Sequence, residues 1–139
     1  MAMLASAYTV EKECKLRFLE LQRHKEYPYI TYKIDRRAKT VIVDKCGRLG
    51  EGYDDLIAAL PENEPRYAVF DYDYTTPDNC EKSKIIFIFW SPDKTGVRTK
   101  MVYALSRNQV REELDGVQIE LQATEVSELD LEIIKAKAR

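Results

Sequence analysis

The 139-residue sequence has little of what a catalytic or metal centre needs. It contains one histidine, His24, and three widely separated cysteines, Cys14, Cys46 and Cys80, with no Cys-x-x-Cys pair. An odd number of cysteines at wide spacing predicts neither a disulfide framework nor a zinc site, so we expect reduced, partly buried thiols. His24 lies in the charged run 23–26, where a solvated side chain is the simpler interpretation than a general base. We therefore expect no metal and no cofactor.

Signatures of phosphate binding and hydrolysis are also missing. The sequence has five glycines, and the segment 47–52 holds three of them without the Lys-Ser/Thr pair of a P-loop. We interpret this segment as a turn. Asp71 and Asp73 suggest paired carboxylates, but in an alternating strand they share one face, and we interpret them as a strand end that runs into solvent. The sequence thus predicts a protein that is not an enzyme.

Neither an excess of one charge nor a long apolar run is present. The 22 Lys+Arg and 24 Asp+Glu residues give a formal net charge of −2, which provides no general attraction to nucleic acid. No apolar run approaches the roughly 20 residues that span a bilayer, and residues 1–8 lack the basic flank and apolar stretch of a secretory signal. We therefore expect a soluble, intracellular protein without membrane insertion, in which a local patch meets any charged partner.

The hydrophobic pattern predicts one domain that contains both helices and strands. With 45% hydrophobic residues the chain can bury one core, and it shows no repeat or Pro/Gly-rich linker. The apolar run 85–90 has no polar alternation, which is typical of a strand buried on both faces of a sheet covered by helices. The other predicted elements are a helix over 10–21 with Thr9 as N-cap, strands 29–34, 40–43 and 66–74, a short helix 53–60, a helix 97–114, a strand 117–121 and an amphipathic helix 128–137 that carries Leu129, Leu131, Ile133 and Ile134. This order predicts an α/β (α+β) fold with a central mixed sheet sandwiched by α-helices.

The helix predicted over residues 97–114 has two different sides. Its cations fall within about 40° of one another and its apolar residues lie on the broadly opposite arc. Met101 lies at the border, where a flexible thioether suits the apolar cleft of a partner. Periodicity alone also fits an ordinary amphipathic helix with a solvated basic side. The cations are Lys100, Arg107 and Arg111, and the apolar residues are Val102, Leu105, Val110 and Leu114.

The sequence around this helix resembles a known family. The segments 90–93 (WSPD) and 97–104 (VRTKMVYA) are similar to the signature of the actin-depolymerising factor/cofilin family. Shorter segments resemble the plant branch of that family along nearly the whole chain and in order: 14–18, 32–34, 53–55, 66–68, 82–85, 87–88, 113–116 and 120–124. The resemblance implies an actin-depolymerising factor homology domain over residues 9–139, preceded by a flexible tail over residues 1–8.

The resemblance also implies a function. The protein is expected to be a monomer that binds monomeric and filamentous actin, prefers ADP-actin, and severs and depolymerises filaments. Its expected location is the cytoplasm, at the actin cytoskeleton, and the nucleus is left open as a second compartment. Phosphoinositides are expected inhibitors.

Specific residues follow from the same resemblance. The surface for monomer and filament comprises Ser6, Arg98, Lys100, Met101, Arg107 and Arg111, and the additional filament surface comprises Lys82, Lys135 and Lys137. Ser6 is also the expected site of regulatory phosphorylation. Gln109 and Glu112 occupy helix positions that are usually basic in the plant branch, which weakens the positive field there.

Two alternative functions stay open at this point. The first is a family member that binds filaments and stabilises or bundles them without severing. The second is a peripheral phosphoinositide-binding protein that uses the same cations, although the sequence has no clustered polybasic run.

Overall fold

A six-stranded mixed β-sheet forms the centre of the computed structural model, which describes residues 8–138. The strands are β1 (Thr9–Val10), β2 (Tyr29–Asp35), β3 (Thr40–Cys46), β4 (Arg66–Thr75), β5 (Glu81–Trp90) and β6 (Ile119–Ala123). The helices are α1 (Lys12–His24), α2 (Tyr53–Ala59), α3 (Val97–Glu113) and α4 (Leu131–Ala138), with a 3₁₀ turn over Val126–Leu129. The sheet order is β1-β3-β2-β4-β5-β6, in which β1–β3 and β5–β6 are the parallel pairs. No helix of the described residues is long and apolar enough to cross a membrane.

β5 separates two hydrophobic cores, one on each face of the sheet. Its side chains alternate, so that Phe87 packs in the core covered by α1 and α3, and Ile88 packs in the core covered by α2 and α4. All six residues of the run 85–90 are buried. The predicted strand buried on both faces, and the helical layers on both sides of the sheet, are thereby confirmed.

The first element differs from the prediction. Thr9 does not cap a helix, because Thr9 and Val10 pair in parallel with the start of β3. The helix begins only at Lys12, with Glu11 as its N-cap residue. The spacing of the apolar residues therefore predicted a helix start that is too close to the N-terminus. At residues 9 and 10, strand pairing outweighs the local preference for a helix. β6 also begins two residues later than predicted.

The last predicted helix is interrupted. Asp130 lies between the 3₁₀ turn and α4 with extended ψ of 137°, and its Oδ1 accepts a hydrogen bond at 2.9 Å from the backbone N–H of Glu132. This is the bond by which an aspartate caps a new helix start. Ile133 is consequently 36% exposed, whereas Leu129 and Ile134 are buried. The prediction of one continuous amphipathic helix is wrong here.

β4 and β5 pair along their full length, from Arg66 opposite Trp90 to Thr75 opposite Glu81. Their neighbours are shorter, because β2 pairs with β4 only as far as Phe70 and β6 pairs with β5 only from Ile86. Residues 72–75 and 81–84 therefore extend beyond the sheet as a two-stranded ribbon, which we call the hairpin arm.

Asp71 lies at the base of the hairpin arm. It was predicted to be at a strand end that runs into solvent, and this prediction is wrong. The Asp71 side chain is 6% exposed, and the Lys25 ammonium donates to Asp71 Oδ2 at 2.8 Å and to Asp73 Oδ1 at 3.1 Å. Burial raises the pKa of Asp71 above its ordinary value, and the bond from Lys25 opposes that rise. The two carboxylates share a face as predicted, but they join β4 to the end of α1 instead of marking a free strand end.

Candidate functional site

The inner side of α3 is fixed to the sheet by tyrosines. Tyr103 is buried, and its hydroxyl accepts a hydrogen bond at 3.0 Å from the backbone N–H of Ile34 in β2. The Tyr67 hydroxyl of β4 donates to the backbone carbonyl of Tyr103. Ser106 and Val110 are buried on the same side of the helix. These contacts decide which residues of α3 face outward.

An apolar stripe runs along the outer side of α3, formed by Val97, Met101 and Leu105. Their exposed fractions are 78%, 54% and 42%, and their spacing of four places them on three successive turns. The sequence-based prediction put Leu105 on the packed side, which is wrong, since Tyr103 and Ser106 occupy the core positions there. The i, i+4, i+8 spacing of these residues is the signal that reveals the apolar stripe. Exposed apolar side chains in contiguous positions are typical of binding surfaces.

Two cations flank the apolar stripe. By helical geometry Arg98 lies on one side of it and Lys100 on the other. Arg98 is exposed and has no ion pair within residues 8–138. The Lys100 ammonium lies 3.6 Å from Asp93 Oδ1, and this pairing is weak because the Asp93 side chain is 77% exposed. The structure thus brings Arg98, Lys100 and Met101 together on one side of α3, and their role in binding stays a prediction.

Arg107 and Arg111 are held differently. Arg107 Nη2 donates to Glu120 Oε1 at 2.7 Å, and Arg111 Nε donates to Glu120 Oε2 at 3.0 Å. The guanidinium of Arg107 lies over the ring of Phe87, 5.8 Å from its centroid. The two arginine side chains are only 25% and 29% exposed. We call Arg107, Arg111 and Glu120 the arginine clamp, because the two cations share one carboxylate of β6.

A second candidate surface lies on the other helical layer, between the hairpin arm and α4. Tyr72 and Tyr74 stack with ring centroids 5.5 Å apart, and each lies opposite a lysine of β5, Lys84 and Lys82 respectively. Together with Lys135 of α4 these side chains line a groove of about 1450 Å³, which we call the tyrosine–lysine groove. Sequence analysis singled out Lys82 and Lys135 but missed the tyrosines and Lys84, although Tyr-x-Tyr and Lys-x-Lys alternation in neighbouring strands was a usable signal.

Lys137 and His24 line neither the tyrosine–lysine groove nor the outer side of α3. Lys137 is exposed on α4. Ser6 lies outside the described residues. His24 is exposed at the end of α1, and the described part of the chain holds no group of three or more His, Cys, Asp or Glu residues that could bind a metal.

Comparison with known proteins identifies the family. The family model described as cofilin/tropomyosin-type actin-binding protein matches residues 7–139. The chain is 54% identical to actin-depolymerizing factor 10 of Arabidopsis thaliana, over 99% of this chain and 98% of that protein, and 53% identical to actin-depolymerizing factor 7 of Oryza sativa subsp. japonica, over 99% of each. The crystal structure of Streptomyces griseoflavus cofilin superposes with a TM-score of 0.86 at 31% identity, covering 94% of this chain and 96% of that one. These likenesses confirm the fold class and the resemblance found in the sequence: the chain belongs to the family of cofilin/tropomyosin-type actin-binding proteins.

Proposed function

We propose that this protein binds monomeric and filamentous actin and depolymerises filaments. The observation that carries the proposal is the outer side of α3, where an exposed apolar stripe is flanked by Arg98 and Lys100. Its similarity to proteins named actin-depolymerizing factors supports the same activity. The proposed setting is the cytoplasm, at the actin cytoskeleton, with the protein acting as a monomer.

Apolar and charged side chains have different roles in the proposed contact made by α3. An apolar cleft on actin would desolvate Met101 and its neighbours in the apolar stripe, and such a buried centre carries most of the affinity of an interface. Carboxylates at the rim of the cleft would meet Arg98 and Lys100, which set the orientation and the association rate. The proposed surface for monomer and filament is therefore centred on the first three turns of α3, with Arg107 and Arg111 at its border.

The tyrosine–lysine groove is the proposed additional surface for filaments. It offers Lys82, Lys84 and Lys135 around two stacked tyrosines, and Lys137 extends the positive charge along α4. Because this groove and α3 lie on opposite helical layers, one molecule presents two separate surfaces to a filament.

Two simultaneous contacts explain how filaments are severed without covalent chemistry. A ligand that binds one filament twist more tightly than another shifts the population toward the favoured twist by the difference in binding free energy. We propose that severing, faster subunit loss and a preference for ADP-actin arise in this way. The protein would then be a binding protein and not an enzyme.

Two forms of regulation belong to the proposal. Phosphorylation of Ser6 would add a charge of roughly −1.5 to −2 next to an acidic partner and so weaken binding. Phosphoinositides would compete for Arg98 and Lys100. Since Glu120 already pairs with Arg107 and Arg111, and Gln109 and Glu112 add no positive charge, we propose that this inhibition is weak.

Co-sedimentation with actin filaments tests the function. The protein is titrated against a fixed amount of filaments, and the protein in the pellet, the actin in the supernatant and the filament length are all measured. We expect co-sedimentation, increasing actin in the supernatant and shorter filaments. Binding with unchanged or bundled filaments would support the stabilising alternative, and binding to phosphoinositide vesicles but not to actin would support the peripheral alternative.

A further inference from the structure

We propose that Glu120 is a positioning residue, which holds α3 in its actin-binding orientation through Arg107 and Arg111, and that these two arginines act within the arginine clamp rather than as direct contacts. The inference rests on the proposed function and refines it, because it changes the role expected for two residues of the basic stripe. It also brings in a residue of β6, outside the helix that carries the contact.

Both arginines donate hydrogen bonds inside the protein, three from Arg111 and two from Arg107, while Arg107 Nε is buried without a hydrogen-bond partner among the described residues. Besides its bond to Glu120, Arg111 reaches the backbone carbonyl of Val117 with Nη2 at 3.3 Å and that of Leu114 with Nη1 at 3.5 Å. Arg107 donates to Glu120 and to Asn108 Oδ1 at 3.2 Å. A partner carboxylate that took a forked pair of donors from either guanidinium would compete with these bonds. Breaking charge-assisted bonds between half-buried groups offsets the gain from the new contact.

The arginine clamp adds polar bonds at the end of α3 that Val110 and Leu114 hold by packing. The first attachment is Tyr103, in the second turn of the helix, through its bonds with Ile34 and Tyr67. Val110 and Leu114 are buried further along the helix, but apolar packing is non-directional. Hydrogen bonds of fixed geometry, one to two turns beyond Tyr103, hold the roll of the helix more tightly than packing alone. The arginine clamp supplies these bonds and bridges α3 to β6, and Leu105 of the apolar stripe lies between the two attachments.

The direction in which one substitution changes the affinity for actin distinguishes the two roles of the arginines. Glu120→Gln removes a negative charge from the border of a surface that faces an acidic partner. If Arg107 and Arg111 contact actin directly, this change frees them and binding becomes tighter. If they act through the arginine clamp, the same change loosens α3 and binding becomes weaker. We expect the second result, a loss of roughly fivefold, at the low end of typical coupling between sites.

Two further variants make the test specific. Glu112→Gln is the matched control. It removes a negative charge close to the same end of α3, at an exposed residue with no ion pair among residues 8–138. It should bind actin at least as tightly as the wild type. Arg111→Lys keeps the charge but lacks the forked donors that join Glu120 and Val117. We expect it to weaken binding, and the double variant Arg111→Lys/Glu120→Gln to bind no more weakly than the worse single variant.

The experiment measures monomeric actin affinity for these variants, together with amide hydrogen exchange of the free proteins. In Glu120→Gln, exchange over residues 105–113 should become faster while that of β4 and β5 stays unchanged. Unchanged or tighter actin binding by Glu120→Gln, unchanged binding by Arg111→Lys, or unchanged exchange over residues 105–113 would overturn the proposal. If the wild type fails to bind actin, the proposed function fails, and the exchange measurement still decides whether the arginine clamp holds α3.

Discussion

Met101 offers a direct test of the α3 surface, because its contribution can be worked out from its exposure. Burying a whole methionine side chain is worth about 1.5–3 kcal/mol, and 54% of Met101 remains exposed and available to a partner. Full burial of the remaining part against actin would therefore contribute about 1–1.5 kcal/mol. Met101→Ala should weaken actin affinity roughly 5- to 10-fold.

The fold should tolerate this change. Met101 points away from both cores, and alanine favours the helix slightly more than methionine does. We expect the free energy of unfolding to change by less than about 0.5 kcal/mol, as is usual for surface positions. Urea unfolding of the variant checks this expectation before binding is measured.

The assay is the affinity for fluorescently labelled monomeric actin, with filament co-sedimentation in parallel. Leu49→Ala is the control, because Leu49 is 76% exposed, more than Met101, and lies in the loop before α2, outside α3. Wild-type affinity in Met101→Ala, or an equal loss in Leu49→Ala, would show that the apolar stripe does not enter the interface.

Four further predictions follow from the same surfaces and from the core. Arg98→Ala with Lys100→Ala should abolish binding to monomers and filaments while leaving unfolding unchanged, since exposed charges contribute little stability; undiminished monomer binding contradicts the α3 surface. Lys82→Glu should weaken filament co-sedimentation and severing but not monomer affinity, and an equal loss of monomer affinity refutes the two-surface proposal. Ser6→Asp should bind actin more weakly than Ser6→Ala, with a smaller difference at high salt; equal binding at low salt would show that the tail does not approach an acidic surface. Burial raises the pKa of Cys14 to about 12, so above about pH 9 the thiol ionises in the unfolded state only, and the free energy of unfolding falls by up to about 1.4 kcal/mol per pH unit. Urea titrations at pH 8 and pH 10 should show a smaller fall in Cys14→Ala than in the wild type. Equal falls in the two proteins would rule out this thiol as a cause.

The sequence predicted the parts of the fold that depend on local pattern. The continuous apolar run of β5 required burial on both faces, and the breaks at residues 91–93 and 115–116 bounded α3 correctly. Thr9 and Val10 were misassigned because their two-residue strand is held only by pairing with distant β3. A pattern taken over a short segment of the sequence does not include that partner.

The candidate site was predicted to a similar extent. Arg98, Lys100 and Met101 were named from the family resemblance, and helical periodicity is enough to place them on neighbouring positions of α3; that they bind actin stays a prediction. Leu105 was misplaced because a tyrosine and a serine, and not the most apolar residues, fill the inner side of α3. The bonds of Glu120 to Arg107 and Arg111 could not be predicted, since they depend on β6 lying beside the last turns of the helix.

The alternation of the hairpin arm limits how its length can change. Tyr72, Tyr74, Lys82 and Lys84 line the groove, while Asp73, which also borders it, has its carboxylate bonded to Lys25. Because the side-chain period of a strand is two, a single-residue insertion or deletion within the arm would turn the intervening residues into the groove. In β4 the Asp73 carboxylate would then replace a tyrosine ring, and in β5 the Ser83 hydroxyl would replace a lysine ammonium, on the surface proposed for filaments. Variation in the length of this arm among related chains should therefore occur in steps of two residues per strand.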